Sequence, residues 1–308
     1  MKHLAIIHTG GLGDFLQTFP VLEAARQRWP GVRITLLGRS EWMPLAAAAG
    51  LADVTTPADG CGLHRLFVDS AEARCVPDPL SQAEVIVNFL PHEALSRNLA
   101  TLARARRVID ARSFPSPGEC AIPAAQFVYD QVAPGLDLPA TPAVPRLRCD
   151  AGLPAFREAA QRWPDVGRCV AIAPGSGSRP KNWPADRFVA LSNHLAMQGR
   201  PTLWILGPAE LEREEFSRLP LDRALVNEPL VTVAAALSLV RGCVSNDSGV
   251  AHLSAALGCP TVVLFGPSDP AVWCPRGTHV QCVTSVTGET ASIGLAQVVA
   301  ATTGPLGC

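Results

Sequence analysis

Short apolar runs recur along this chain at residues 3–8, 33–37, 53–55, 84–89 and 107–110, and again at 169–173, 202–206, 224–226, 242–245, 261–265 and 280–283. These short runs are rich in β-branched and other apolar residues, so each reads as a strand. Between the runs lie Ala-rich stretches with helical spacing, such as 15–28 and 292–301. Strands alternating with helices predict α/β architecture, a parallel sheet with helices on both sides. The runs fall into two sets on either side of a proline-rich, aperiodic stretch at 134–154. That division predicts two doubly wound domains, residues 1–150 and 151–308.

Composition adds limits to this picture. The chain has 308 residues, 48% of them hydrophobic and 17% charged, enough to build two packed cores. The net charge is −1 and neither half is basic, which argues against nucleic-acid binding and against polybasic attachment to a membrane. The apolar stretch at 231–240 falls well short of the ~20 residues of a membrane helix. The first apolar run is too short for a signal-peptide core. A soluble, cytoplasmic protein is expected, with at most peripheral contact with the inner membrane face. Ten cysteines occur without a Cys-x-x-Cys pair and are read as reduced, mostly buried thiols. Neither they nor the seven histidines show ligand spacing, so no metal site is expected.

Four segments at the ends of predicted strands carry chemistry. The first strand runs into Thr9-Gly10-Gly11-Leu12-Gly13-Asp14, where Leu16 replaces the third glycine of a dinucleotide fingerprint. Asp14 is either a helix cap or an exposed carboxylate. The run at 169–173 leads into Pro174-Gly175-Ser176-Gly177-Ser178-Arg179-Pro180-Lys181-Asn182-Trp183-Pro184. Of the chain's 26 Lys and Arg residues all but Lys2 and Lys181 are Arg, so Lys181 stands out against a strong compositional bias. The loop fails the Walker A pattern, yet its amides, its hydroxyls and one compact ammonium suit a phosphate, unless it is an ordinary surface turn.

The run at 202–206 ends in Gly207-Pro208-Ala209-Glu210. Glu210 there can accept hydrogen bonds from a ribose, or can belong with Glu212, Glu214 and Glu215 on a solvated helix face. The run at 242–245 leads into Asn246-Asp247-Ser248-Gly249-Val250-Ala251-His252. Asp247 or Ser248 can cap the following helix, whose first-turn amides near Gly249 suit an anion. Val250, Leu253 and Leu257 form an apolar stripe that predicts His252 off the buried face. A first-turn histidine there is expected to need a bound phosphate to offset the helix dipole.

Together these segments, with Pro20 and the run from Ala255 through Phe265-Gly266-Pro267-Ser268-Asp269-Pro270 to Trp273, closely resemble glycosyltransferase family 9, which contains the ADP-heptose:lipopolysaccharide heptosyltransferases. The resemblance implies a GT-B fold, two Rossmann-like domains facing a cleft, the first binding acceptor and the second nucleotide sugar. It implies inverting transfer of heptose from ADP-heptose to a lipopolysaccharide inner-core or related surface-glycan acceptor, a glycan or lipid-linked sugar, with no cofactor and no metal. Asp14 corresponds to the general base and Lys181 to the cation that stabilises the leaving diphosphate. Ser176, Gly177 and Ser178 fall in the diphosphate segment, Glu210 at the ribose contact, and Asp247, Ser248, Gly249 and His252 in the nucleotide-phosphate segment. Ser248 replaces the family's usual threonine and keeps its hydroxyl. Gly13, Arg39, His92 and Arg112 follow first-domain strands and are candidates for the acceptor. Three alternatives stand beside this reading: transfer of another nucleotide sugar to another acceptor, a non-hydrolysing nucleotide-sugar epimerase, and an inactive nucleotide-binding module.

Overall fold

The structure is a computed structural model that describes all residues except 69–75, 104, 117, 120, 150–151, 212–215, 217–218, 220 and 304–308, and omits the side chains at 209 and 221. Cys75, Cys120, Cys308, Glu212, Glu214 and Glu215 lie outside the described residues. The chain divides into two compact units, Met1–Pro145 and Arg146–Cys308.

The first unit carries a five-stranded sheet of β1 (His3–His8), β2 (Arg33–Gly38), β3 (Val54–Pro57), β4 (Val85–Asn88) and β5 (Arg107–Asp110), in the order β3-β2-β1-β4-β5. All its pairings are parallel, and every residue of β1 is buried, which is why the run between its two terminal histidines is apolar. One face packs on Leu63, Leu66, Leu95 and Leu99.

The second unit carries six parallel strands: β6 (Val170–Ala173), β7 (Thr202–Leu206), β8 (Ala224–Val226), β9 (Gly242–Asn246), β10 (Thr261–Phe265) and β11 (Val280–Thr284), in the order β11-β10-β9-β6-β7-β8. Its core gathers Trp183, Phe188, Trp204, Val244 and Leu264, with the rings of Trp183 and Phe188 in edge contact at 5.0 Å. Burying aromatic rings of this size contributes about 3 kcal/mol each. In each sheet the winding reverses at one point, between β1 and β4 and between β6 and β9. Crevices at the carboxyl ends of such strand pairs are where open α/β sheets bind ligands.

Three expectations are corrected. The helix expected at 15–28 is two helices, Leu12–Leu16 and Phe19–Arg28. Pro20 has no N–H for the Leu16 carbonyl, so a continuous helix breaks there, while a proline in the first turn of a new helix costs nothing. Thr18 Oγ1 donates to the Phe15 carbonyl at the break, 2.7 Å away. Asp14 consequently lies inside a short helix whose N-cap is Gly11.

The second correction concerns thiols: Cys274 and Cys282 are joined in a disulfide, while Cys61, Cys149, Cys169, Cys243 and Cys259 are free, the last three buried. The bonded pair forms because β11 returns alongside the segment after Phe265, where both cysteines pack against Ala251, Val263 and Phe265. A spacing of eight residues carries no motif that announces it. Third, the last helix is Leu295–Thr303, three residues later at its start than expected. Among the described residues no helix is long and apolar enough to cross a membrane.

Candidate active site

In the second unit, Ala173 of β6 pairs with Ser245 of β9, so the loops that follow both strands leave the sheet side by side. The topology thereby joins two segments 66 residues apart in sequence: Lys181 Nζ donates to Asp247 Oδ2 over 2.7 Å. The Asp247 side chain is 6% exposed and that of Lys181 31%, so the carboxylate is sealed while the ammonium still reaches solvent. The Trp273 ring lies 5.8 Å from the same nitrogen, at the outer limit of a cation–π contact. Beside them Ser248 caps the helix Gly249–Ala256 by accepting from Ala251 N, 3.4 Å away. An ammonium and a helix N-terminus therefore converge on the point where the sheet's winding reverses.

The lysine loop is fixed from below. Asn246, fully buried, donates through Nδ2 to the Pro174 carbonyl at 2.6 Å and accepts from Trp183 N at 3.0 Å. It thus ties both ends of the loop to the end of β9. Trp183 Nε1 donates to the Ile293 carbonyl at 2.8 Å, and the buried Thr290 hydroxyl donates to the Pro180 carbonyl at 2.9 Å. Ser176 is buried, with its hydroxyl 2.7 Å from Asn182 Oδ1 and 2.8 Å from the Ser178 carbonyl. That hydroxyl shapes the turn. Gly177 is exposed and Ser178 partly so, which leaves those two residues on the open side.

One expectation about this unit changes, and one alternative falls away. His252 is buried, not turned outward, because Ala251 through Ala256 are all enclosed and only the first turn of the helix reaches the surface. Burial holds its imidazole below the ordinary value, the Lys181 charge acts in the same direction, and Asp247 opposes them. A neutral imidazole pays no dipole penalty, so the need for a compensating phosphate disappears. Glu210 is buried in the short helix Pro208–Leu211, not on a solvated face, and its Oε2 accepts from Gly207 N at 2.7 Å. A Cβ on Gly175 would overlap the Glu210 carboxylate, so glycine there is required by close approach of the two loops.

In the first unit, Ile7 of β1 pairs with Asn88 of β4, placing the Gly10-Gly11 loop beside the segment after β4. Gly13 and Asp14 are partly exposed, in the first turn of Leu12–Leu16. Trp42 Nε1 donates to the Gly10 carbonyl at 3.0 Å and holds that loop. His8, fully enclosed between Phe15 and Phe89, is pushed down to about 4 by burial. Its Cε1 lies 2.9 Å from the position a Cβ on Gly10 would take, and Asp14 Oδ2 lies 3.4 Å from the same point. The imidazole and the carboxylate therefore flank one bare glycine.

Arg39 and Arg112, both expected to meet acceptor, are already paired, with Glu41 at 3.2 Å and Glu119 at 2.8 Å. Their guanidiniums also lie over Trp42 and Phe127, 5.1 Å from each centroid. His92 is exposed at the start of the helix Glu93–Leu102, its ring 5.0 Å from that of Phe67. Sequence reasoning missed Asn246 as the loop's anchor and His8 as the neighbour of Asp14. The only signal for either was a polar residue ending an otherwise apolar strand. Among the described residues no group of three or more His, Cys, Asp or Glu is placed to hold a metal ion.

Residues 90–298 match the sequence model of glycosyltransferase family 9 (heptosyltransferase). Lipopolysaccharide heptosyltransferase 2 of Escherichia coli is 26% identical over 201 residues, 59% of this chain and 55% of that protein, so the match spans about half the relative's length. Two solved structures share the fold over nearly the whole chain. The glycosyl transferase family 9 protein of Veillonella parvula has a TM-score of 0.78 at 19% identity, covering 99% of this chain and 97% of that one. The E. coli ADP-heptose lps heptosyltransferase II has a TM-score of 0.76 at 18% identity, covering 99% and 98%. These likenesses establish a GT-B fold with two Rossmann-like domains. The chain belongs to glycosyltransferase family 9, the heptosyltransferase family.

Proposed function

We propose that this protein transfers heptose from ADP-heptose to a lipopolysaccharide inner-core or related surface-glycan acceptor, with inversion and without a metal. The observation that carries the reading is the Lys181–Asp247 pair, set at the winding reversal of the second unit beside the capped helix Gly249–Ala256. Departure of a nucleoside diphosphate concentrates negative charge on its oxygens. An ammonium held in place by a buried carboxylate, together with helix-terminal amides, meets that charge without reorganising. Asp247 orients Lys181 and Asn246 sets the height of its loop. Gly177 offers an amide and Ser178 a hydroxyl on the open side, the Ser178 amide being held by the Ser176 hydroxyl, and Glu210, bonded to Gly207 N through one oxygen, is assigned the ribose contact.

Asp14 takes the proton that the acceptor hydroxyl loses as it attacks the anomeric carbon. Its side chain is partly exposed in the first turn of the helix Leu12–Leu16, at the carboxyl end of β1. The named activity of the E. coli structural relative, ADP-heptose lps heptosyltransferase II, supports donor and acceptor alike. The work is assigned to the cytoplasm, with at most peripheral contact with the inner membrane face.

The test is a panel of nucleotide sugars with truncated lipopolysaccharide acceptors. Heptose incorporation from ADP-heptose is expected, lost in Asp14→Ala. Turnover of a different nucleotide sugar with none of ADP-heptose would overturn the donor assignment. Product formed with acceptor omitted would point to an epimerase.

A further inference from the structure

Beyond the β4 and β5 ends, the first unit holds an open pocket of about 460 Å³ lined by Pro91, His92, Glu93, Ser96, Arg97 and Asp110. Its volume lies in the range that holds a small ligand or one residue of a larger one. Asp110 closes β5 and is exposed, yet its Oδ1 is fixed by two donors, Asn88 Nδ2 at 2.7 Å and Ser96 Oγ at 2.8 Å. Asn88 is itself fully buried and its amide also bridges to Leu90, donating to the carbonyl at 3.0 Å and accepting from the N–H at 3.1 Å. One carboxylate oxygen is therefore anchored by the end of β4 while Oδ2 makes no hydrogen bond among the described residues. Also lining the pocket, the His92 ring rests against Phe67 and its nitrogens likewise make no hydrogen bond among the described residues.

The charges in this pocket discriminate between ligands. Two carboxylates stand against one guanidinium, and that guanidinium lies 3.8 Å from Glu93, one turn earlier on the same helix. A phosphate or carboxylate entering here would face Asp110 with no uncommitted cation to offset it. A neutral polyol meets the opposite situation: Oδ2 accepts from its hydroxyls, and an imidazole that can both donate and accept completes the set.

We infer that this pocket is a subsite for a neutral sugar residue of the acceptor glycan, with Asp110 as the residue that selects it. The inference rests on the transferase reading and specifies the acceptor chemistry that reading leaves open. It places the charged groups of the glycan elsewhere and a hydroxyl-rich, uncharged ring beside His92.

Two measurements test it. Saturation-transfer NMR on the whole protein with methyl α-mannoside and methyl α-glucoside, and with glucose 1-phosphate as the charged comparison, needs no turnover. Wild-type protein should bind at least one neutral glycoside, with affinity falling about 10-fold in Asp110→Asn, the amount expected when a charged hydrogen bond to ligand is lost. Asp110→Asn keeps Oδ1 for Asn88 and Ser96, so the fold is retained. In the transfer assay the same variant should raise KM for the glycan acceptor about 10-fold while KM for the donor stays put. Equal glycoside binding by wild type and Asp110→Asn, or tighter binding of glucose 1-phosphate than of both neutral glycosides, would overturn the inference. Glycoside binding that responds to Asp110 in a protein unable to transfer heptose would sink the transferase reading and uphold the subsite.

Discussion

Replacing Asn246 by alanine removes one side chain and strands two partners. The Pro174 carbonyl loses a donor at 2.6 Å and Trp183 N loses an acceptor at 3.0 Å, both in the interior beneath the Lys181 loop. A buried backbone group left unpaired costs about 1–3 kcal/mol. Two of them give about 2–6 kcal/mol, a large fraction of the roughly 5–15 kcal/mol that holds a domain together. Denaturation in urea, followed by tryptophan fluorescence, should show a midpoint lowered accordingly with little change in slope.

Asn246→Asp sharpens the test, because the partners fix which end of the amide faces which: a carbonyl can only accept and an N–H can only donate. Aspartate keeps the acceptor for Trp183 N but turns an anion toward the Pro174 carbonyl, so at neutral pH it should be at least as damaging as alanine. Burial raises the pKa of such a carboxyl above its unfolded value, so the folded state binds the extra proton first. Stability should accordingly return as pH falls and the protonated carboxyl donates to Pro174. A cost under about 1 kcal/mol for Asn246→Ala, or an Asn246→Asp protein as stable as wild type at pH 7, would refute this account of the loop.

Other outcomes follow from the same geometry. Lys181→Arg keeps the charge but replaces a compact ammonium with a larger fork, and donor turnover should drop roughly 10-fold in steady-state kinetics. Asp14→Asn should lower kcat by about 10²-fold or more with KM for the donor unchanged; an unaltered rate would remove Asp14 from the chemistry. Gly175→Ala forces a methyl group into the Glu210 carboxylate and should cost about 1–3 kcal/mol in thermal or chemical melts. His8, held near 4 against an ordinary 6.5, keeps the fold fully stabilised above about pH 6.5, and that stability is lost as pH falls towards 4 because the unfolded chain protonates first. The difference is worth about 3 kcal/mol, so His8→Leu should flatten the decline in unfolding free energy across that window.

Much of the fold is legible in the sequence, because parallel strands covered on both faces are mostly apolar, as Leu4 to Ile7 and Val262 to Phe265 are, and so announce themselves. The helix at 15–28 was misread by its periodicity, although Pro20 carried the correcting signal. His252 was misplaced for a different reason: three apolar residues suggested a single buried stripe, but Gly249–Ala256 is enclosed nearly all round, so spacing no longer tells inside from outside. The Cys274–Cys282 bond was invisible because it depends on where β11 returns.

By itself the sequence determined two α/β halves, their strands, and the segments in which Asp14, Lys181, Glu210 and Asp247 reside. Local composition is enough for this, since burial on both faces and glycine-rich turns leave their mark residue by residue. Only the tertiary structure decided that Lys181 meets Asp247, that Asn246 ties down both ends of the lysine loop, and that Asp110 is held by Asn88. Those contacts exist because β6 lies beside β9 and β4 beside β5. The pairing of strands is set by how whole helices and sheets pack, and no short stretch of sequence encodes it.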